Sequence, residues 1–216
     1  MLNIIENPDF TNTFKIGDNS FSRTRKFTFQ SCFLFICSIP NKRLQSELDC
    51  FFNQFKGIAN SLRTVTSSAF SQYRDKISYQ AFKTACFHLA DYFYTNYSFA
   101  QYHQMRLVAI DGTVLTLPRN EHTIKEFGDN ILSSGKTWIK AQVSFASDVL
   151  NGICLDACIG AYKTYEVRQV IDHLKKLGQH NLYLFDRGYF GRDSSTKYKI
   201  QVVNFVFGYN KTPVVK

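Results

Sequence analysis

No stretch of this 216-residue chain is long and apolar enough to span a bilayer: the longest runs from Cys32 to Ile39, against the ~20 residues a membrane helix needs. The N-terminus lacks the apolar core of a secretory leader. None of the six cysteines (32, 37, 50, 86, 154 and 158) forms a Cys-x-x-Cys pair, and the five histidines are scattered without a recurring ligand spacing. Zinc is therefore not expected. Each cysteine stands among apolar neighbours and reads as a small core residue of a reducing compartment. These absences predict a cytoplasmic chain with no membrane partner. Acids are scarce at both ends: residues 10–46 hold six bases (Lys15, Arg23, Arg25, Lys26, Lys42, Arg43) against Asp18, and residues 187–216 hold six against Asp193.

What is present favours a packed protein. Hydrophobic residues make up 44% of the chain, with 21 Phe and 12 Tyr. The length suits one large domain or two small ones, and the core should be rich in aromatic rings. The formal charge of +9 favours polyanionic partners such as nucleic acid, although a merely solvated basic surface would give the same number.

Two short apolar runs each end in aspartate followed closely by glycine: Leu107-Val108-Ala109-Ile110-Asp111-Gly112 and Leu182-Tyr183-Leu184-Phe185-Asp186-Arg187-Gly188. Each reads as a buried strand that delivers its acid where the chain leaves the core. Taken singly, such an acid is a strand terminator. As neighbours, two carboxylates would repel unless protonated or bridged by a cation, which points to a divalent-metal site.

The first hundred residues look mostly helical, with residues 1–26 irregular. Leu44, Leu48, Phe51, Phe52 and Phe55 share one helical face, between Asn41 as a start and Gly57 as a stop. Ser67 or Ser68 can cap a second helix that turns Ala69, Phe70, Tyr73 and Ile77 inward and shows Ser71, Gln72, Arg74 and Lys76. Ser78 opens a third, with Phe82, Cys86, Leu89, Phe93 and Tyr97 along one stripe. The short second helix fits a helix-turn-helix, whose second helix enters the major groove; a small helical bundle with a polar face fits the pattern equally.

From Leu107 the character changes. A charged loop, 119–136, follows the first strand. Residues 137–149 read as a strand, Asn151-Gly152 as a hairpin turn, and 153–159 as its partner. Val167, Val170, Ile171, Leu174 and Leu177 mark a helix that begins near Glu166 and stops at Gly178. The strand to Asp186 follows, then a weak helix over 193–200 and a last strand over 202–207. The order strand, strand, strand, helix, strand, helix, strand matches an α/β ribonuclease-H-like core, α+β overall once the helical region is counted. Its first and fourth strands are neighbours, so Asp111 and Asp186 would meet.

Five segments resemble the DDE transposases of the insertion-sequence-four type: Leu44-Gln45-Ser46-Glu47-Leu48-Asp49, Val65-Thr66-Ser67-Ser68-Ala69-Phe70-Ser71-Gln72, Ala109-Ile110-Asp111-Gly112-Thr113, Asp148-Val149-Leu150-Asn151-Gly152 and Phe185-Asp186-Arg187-Gly188-Tyr189. The resemblance implies a helical DNA-binding region over 1–104 and a ribonuclease-H-like catalytic core over 105–216, incomplete at its C-terminus. It makes Asp111 and Asp186 the first two catalytic acids, holding two Mg²⁺ (or Mn²⁺) ions for cleavage and strand transfer at transposon ends. The implied partners are double-stranded DNA at the transposon ends and the target, contacted by Ser71, Gln72, Arg74, Lys76 and Arg187, with a homodimer as a candidate assembly.

The chain departs from that pattern in places. Phe190 stands where the family commonly has proline, and Gly208 where the final strand leads into a basic residue. The family's third acid is a glutamate in a Tyr, Arg, Glu, Lys signature, yet no glutamate follows Glu166, and Asp193 is the only acid after Asp186. The expectation is a decayed element or a partial reading frame, inactive alone. Two alternatives stand beside it. One is a non-catalytic DNA-binding remnant using the helix-turn-helix and basic ends; the other is a nuclease whose third acid is Glu121, Glu126 or Glu166.

Overall fold

The computed structural model describes residues 2–22, 27–38, 43–56, 64–131, 137–162, 166–185 and 204–207. The chain divides into two units, Met1–Leu89 and Ala90–Lys216, the division lying within the helix over 79–96.

The first unit is helical. Residues 1–26, expected to be irregular, contain α1 (Leu2–Ile5) and α2 (Pro8–Phe14). The Asn7 side chain accepts from the Asp9 N–H, Pro8 takes the first helical position, and Phe10 is buried. Proline loses nothing there, because that N–H has no helical partner anyway. Next comes α3 (Phe29–Cys37), where Thr28 and Ser31 satisfy each other's backbone N–H groups in a capping box. This helix turns Phe29, Cys32, Phe33 and Phe35 into the core.

The helix over 44–56 forms as expected (α4, Leu44–Lys56), with Leu48 and Phe52 buried; Asn41 and Gly57 lie outside the described residues. α5 (Ser67–Arg74) is capped by Thr66, whose hydroxyl accepts from the Ala69 N–H, and not by Ser67 or Ser68. Ser78 does open α6 (Tyr79–Asn96), accepting from the Gln80 N–H. Its inward stripe is nevertheless Ala81, Ala85 and Ala90, while Leu89 and Tyr97 are exposed. Ala81 and Ala85 enter the core of the first unit, where Phe82 also packs, partly buried. The core of this unit is aromatic, as composition implied: Phe33 stacks on Phe82 at 4.5 Å, and Phe27 meets Tyr73 edge-on at 5.3 Å. Such offset and edge arrangements suit the ring quadrupole.

The second unit holds a mixed six-stranded sheet. Its elements are β1 (Arg106–Leu117), α7 (Glu121–Phe127), β2 (Asn130–Ile131), β3 (Thr137–Asp148), β4 (Ile153–Ala161), α8 (Glu166–Leu177), β5 (Asn181–Phe185) and β6 (Asn204–Phe207). The spatial order is β4-β3-β1-β5-β6, with β2 alongside the start of β3. β1, β3 and β4 pair antiparallel, and β5 and β6 add in parallel. The β1-to-β5 return is a crossover through α8, as a parallel pair requires. Gly152 closes the β3–β4 turn at φ +66°, and Gly178 ends α8 at φ +74° with its N–H on the Leu174 carbonyl. Both are left-handed positions that glycine adopts without a Cβ penalty.

Two expectations are corrected here. The 119–136 loop contains α7, started by an Asn120–Thr123 capping box, and β2. β1 does not end at Asp111 but runs on to Leu117, because Thr113 to Leu117 are good strand formers and β3 pairs with them up to Leu117↔Ile139. The 193–200 helix lies outside the described residues. Val108, Ile110, Ala146, Leu155, Val170, Tyr183 and Phe185 form the core between the sheet and α8.

Candidate functional site

Cross-strand register assigns side chains to the two sheet faces. Asp111 lies opposite Phe145, which lies opposite Ala157, and all three are exposed. Leu115 and Ile159, on the same face, are also exposed. Val108, Ile110, Ser144, Ala146, Asp156 and Cys158 point to the other face, under α8.

Asp111 is interior to β1, and the described pairing with β5 runs from Arg106↔Asn181 to Ile110↔Phe185. The residues immediately before Asp111 and Asp186 are thus neighbours; Asp186 and Arg187 lie outside the described residues. Among the described residues Asp111 accepts one hydrogen bond, from the Gly112 N–H to Oδ1 at 2.8 Å. An exposed carboxylate with unused lone pairs suits an oxygen-preferring cation such as Mg²⁺.

The expected DNA-contact residues separate. Gln72 and Arg74 are exposed on α5, and the Arg74 Nε lies 3.5 Å from Asp75. Ser71 is half-buried and donates to the Ser67 carbonyl of its own helix at 3.0 Å. Lys76 lies beyond the helix end, its Nζ 4.7 Å from the Tyr73 ring centre. Gln45 has a structural part: it accepts from the Ser67 N–H and donates to the Val65 carbonyl, tying α4 to the start of α5.

Asp148 and Asn151 form a brace. Asp148 is wholly buried; it accepts from the Tyr94 hydroxyl at 2.7 Å, the Asn151 amide at 2.8 Å and the Leu150 and Asn151 backbone N–H groups. Asn151 also exchanges two hydrogen bonds with the Ala100 backbone. Burial, and then the bond to Asp148, push the Tyr94 hydroxyl pKa up.

Sequence reasoning missed a second polar cluster, beneath α8. The His173 ring lies between Asp156 (Nδ1 to Oδ2, 2.8 Å) and Ser144 (Nε2 to Oγ, 3.1 Å), and all three are at most 2% exposed. An ionised carboxylate only accepts, so Nδ1 donates to Asp156, while Nε2 and the Ser144 hydroxyl share the second hydrogen bond. Lys176 Nζ donates to both Asp156 oxygens at 3.0 and 3.1 Å, and the Cys158 thiol approaches Oδ2 at 3.8 Å. Burial alone would raise the Asp156 pKa, but hydrogen bonds from His173 and Lys176 outweigh it and hold it below the ordinary carboxylate value. The order Ser–His–Asp is that of a nucleophilic triad, but burial this complete denies a substrate access to Ser144. Asp156, Cys158 and His173 offer ligand atoms that all lie within 4.8 Å of one another.

Periodicity gave no sign of this cluster, because Gln169 and His173 interrupt the apolar stripe of α8; their burial shows that stripe to be partly polar. The cysteines correct a further expectation: Cys32 alone is fully buried, Cys37 and Cys50 are exposed, and the other three are intermediate. Among the described residues no helix is long and apolar enough to cross a membrane. No protein-family model matches this chain, and no curated protein matches it significantly.

Proposed function

We propose that this chain carries a ribonuclease-H-like core of the DDE transposase kind, in which Asp111 and Asp186 would hold divalent cations for chemistry on DNA phosphodiesters, with no activity expected of this chain alone. The observation that carries the reading is the β1–β5 register, in which Ile110 and Phe185, the residues that precede the two acids, pair with each other. The strand order supports it: an antiparallel three-strand meander, a helical crossover, then parallel addition on the far side of the first strand. Two-residue-long motifs alone would not carry this weight; their placement on adjacent parallel strands does.

Asp111 is the described half of the proposed metal site. Mg²⁺ or Mn²⁺ bound there would supply charge neutralisation at the phosphate and activation of the attacking oxygen. The chain's own contribution is orientation: a carboxylate fixed on a paired strand cannot swing as one on a loop can. Gln72 and Arg74 are the proposed DNA contacts on α5, with Arg187 beside the second acid.

Mn²⁺ titration of the full chain, followed by electron paramagnetic resonance, tests the reading. Asp111→Ala should weaken Mn²⁺ binding at least about tenfold while leaving the melting temperature within about 2 °C, because the side chain is exposed. Equal Mn²⁺ affinity in the two proteins would remove Asp111 from the site.

A further inference from the structure

On the sheet face opposite Asp111, we propose that Asp156, Cys158 and His173 form a second metal site, for a zinc-class cation, with the Lys176 ammonium occupying it when no metal is bound. The inference does not rest on the transposase reading.

Four observations converge on it. First, the donors are a carboxylate, a thiol and an imidazole, the set that borderline-soft Zn²⁺ takes and hard Mg²⁺ does not. Second, the framework is rigid. Asp156 and Cys158 are two residues apart on one face of β4, Cys158 pairs with Ser144 of β3, and His173 descends from α8. Third, the spacing is close to that of ligands around one ion. Tetrahedral bond lengths of about 2.0 Å to N or O and 2.3 Å to S separate donors by roughly 3.3–3.6 Å. The Nδ1 to Oδ2 distance is 2.8 Å, the Sγ to Oδ2 distance is 3.8 Å, and all three donor atoms lie within 4.8 Å of one another, so the first pair must open and the sulfur draw in on binding. Fourth, the far side of the imidazole is already held. With metal on Nδ1, the Nε2–H would donate to Ser144 Oγ at 3.1 Å, the outer partner a ligating histidine normally has.

Charge accounts for Lys176. Without metal, the buried Asp156 carboxylate is balanced by the Lys176 ammonium, whose side chain is 43% exposed. With a divalent ion and an ionised Cys158 thiolate, the two anions balance the metal and Lys176 becomes superfluous. Its exposure lets it swing into solvent, so both states are neutral overall and neither strands a buried charge. One helical turn before His173, Gln169 is 3% exposed and its Oε1 has no hydrogen-bond partner among the described residues.

Co²⁺ titration of the reduced, chelator-stripped full chain tests the site. One equivalent should give a thiolate-to-cobalt charge-transfer band with four-coordinate d–d absorption. Zn²⁺ should abolish both, and excess Mg²⁺ should leave them unchanged. Cys158→Ser, a near-isosteric change at a half-buried position, should lose the charge-transfer band and weaken binding at least about tenfold. Lys176→Met should tighten Co²⁺ binding, because its competitor is gone. Absence of a stoichiometric complex would overturn the site, and so would a charge-transfer band that survives Cys158→Ser, since another cysteine would then be the ligand. Unchanged or weaker binding in Lys176→Met would overturn the exchange.

Discussion

Replacing Asp156 by asparagine should destabilise the sheet unit by about 3 kcal/mol when measured in the presence of a chelator. The carboxylate is 2% exposed and accepts from His173 and twice from Lys176. Asparagine keeps the shape but loses the charge and presents an NH₂ group to one of the two donors. A hydrogen bond to a charged group contributes about 1.5–3 kcal/mol, and breaking a fully buried ion pair costs about 3–5 kcal/mol. The exposed Lys176 recovers its hydration, so the cost falls near the bottom of the second range and comes mainly from His173. For a unit of this size that is a fall of roughly 10 °C in melting temperature. Trp138, the single tryptophan, lies on β3, so its fluorescence reports unfolding of this unit specifically. Lys176→Met leaves the buried carboxylate its His173 bond but not its balancing ammonium, so it should also cost stability. If Asp156→Asn cost under about 1 kcal/mol, the cluster would not be what holds α8 to the sheet.

Three smaller predictions share that assay or a simple variant of it. The Asp156 pKa is depressed in the folded state, so its contribution is complete above the unfolded value of about 3.9. It is lost as pH falls through the lower native value; in Asp156→Asn the acid limb should be shallower. Tyr94→Phe removes the 2.7 Å bond to Asp148 but leaves the carboxylate its Asn151 partners, so a loss of about 1–2 kcal/mol is expected; an unchanged midpoint would show that the hairpin does not lean on Tyr94. Burial pushes the Cys32 thiol up to about 12, so iodoacetamide at pH 8 should label exposed Cys50 and spare Cys32 in mass spectra. Equal labelling would contradict the core of the first unit.

The chain's legibility followed the strength of its local signals. β3, β4, α8 and β5 were readable because period, turn glycines and the Gly178 stop all agree within each segment. α1 and α2 were not, since their apolar anchors, Ile5 and Phe10, are isolated among polar residues and acquire meaning only through the core they enter. The inward face of α6 departs from its apolar stripe at Leu89 and Tyr97, which are exposed, while Ala81 and Ala85 share the core with Phe82. The Asp111 end of β1 was misplaced because a glycine after an acid looks like a stop, and only the pairing with β3 shows that the strand continues. His173 was invisible for a different reason. A buried histidine is stable only with partners on both ring nitrogens, and those partners, Ser144 and Asp156, are 29 and 17 residues away in sequence.

Lone pairs distinguish the three strand aspartates from one another. Asp148 accepts four hydrogen bonds, from a tyrosine, an amide and two backbone N–H groups, and Asp156 accepts from an imidazole and an ammonium. Both are buried, and a buried carboxylate without such donors would not remain ionised; their partners are the condition of their burial. Asp111 differs on both counts. It is exposed, and its described bonding is a single N–H from the next residue. Among the described residues, most of its acceptor capacity is left for something other than the fold. Aspartate has poor strand propensity, so an exposed Asp111 inside a twelve-residue strand is a local cost with no structural return. The proposed metal binding would supply the return, which is why Asp111, rather than either buried acid, is the residue on which the proposed chemistry is placed.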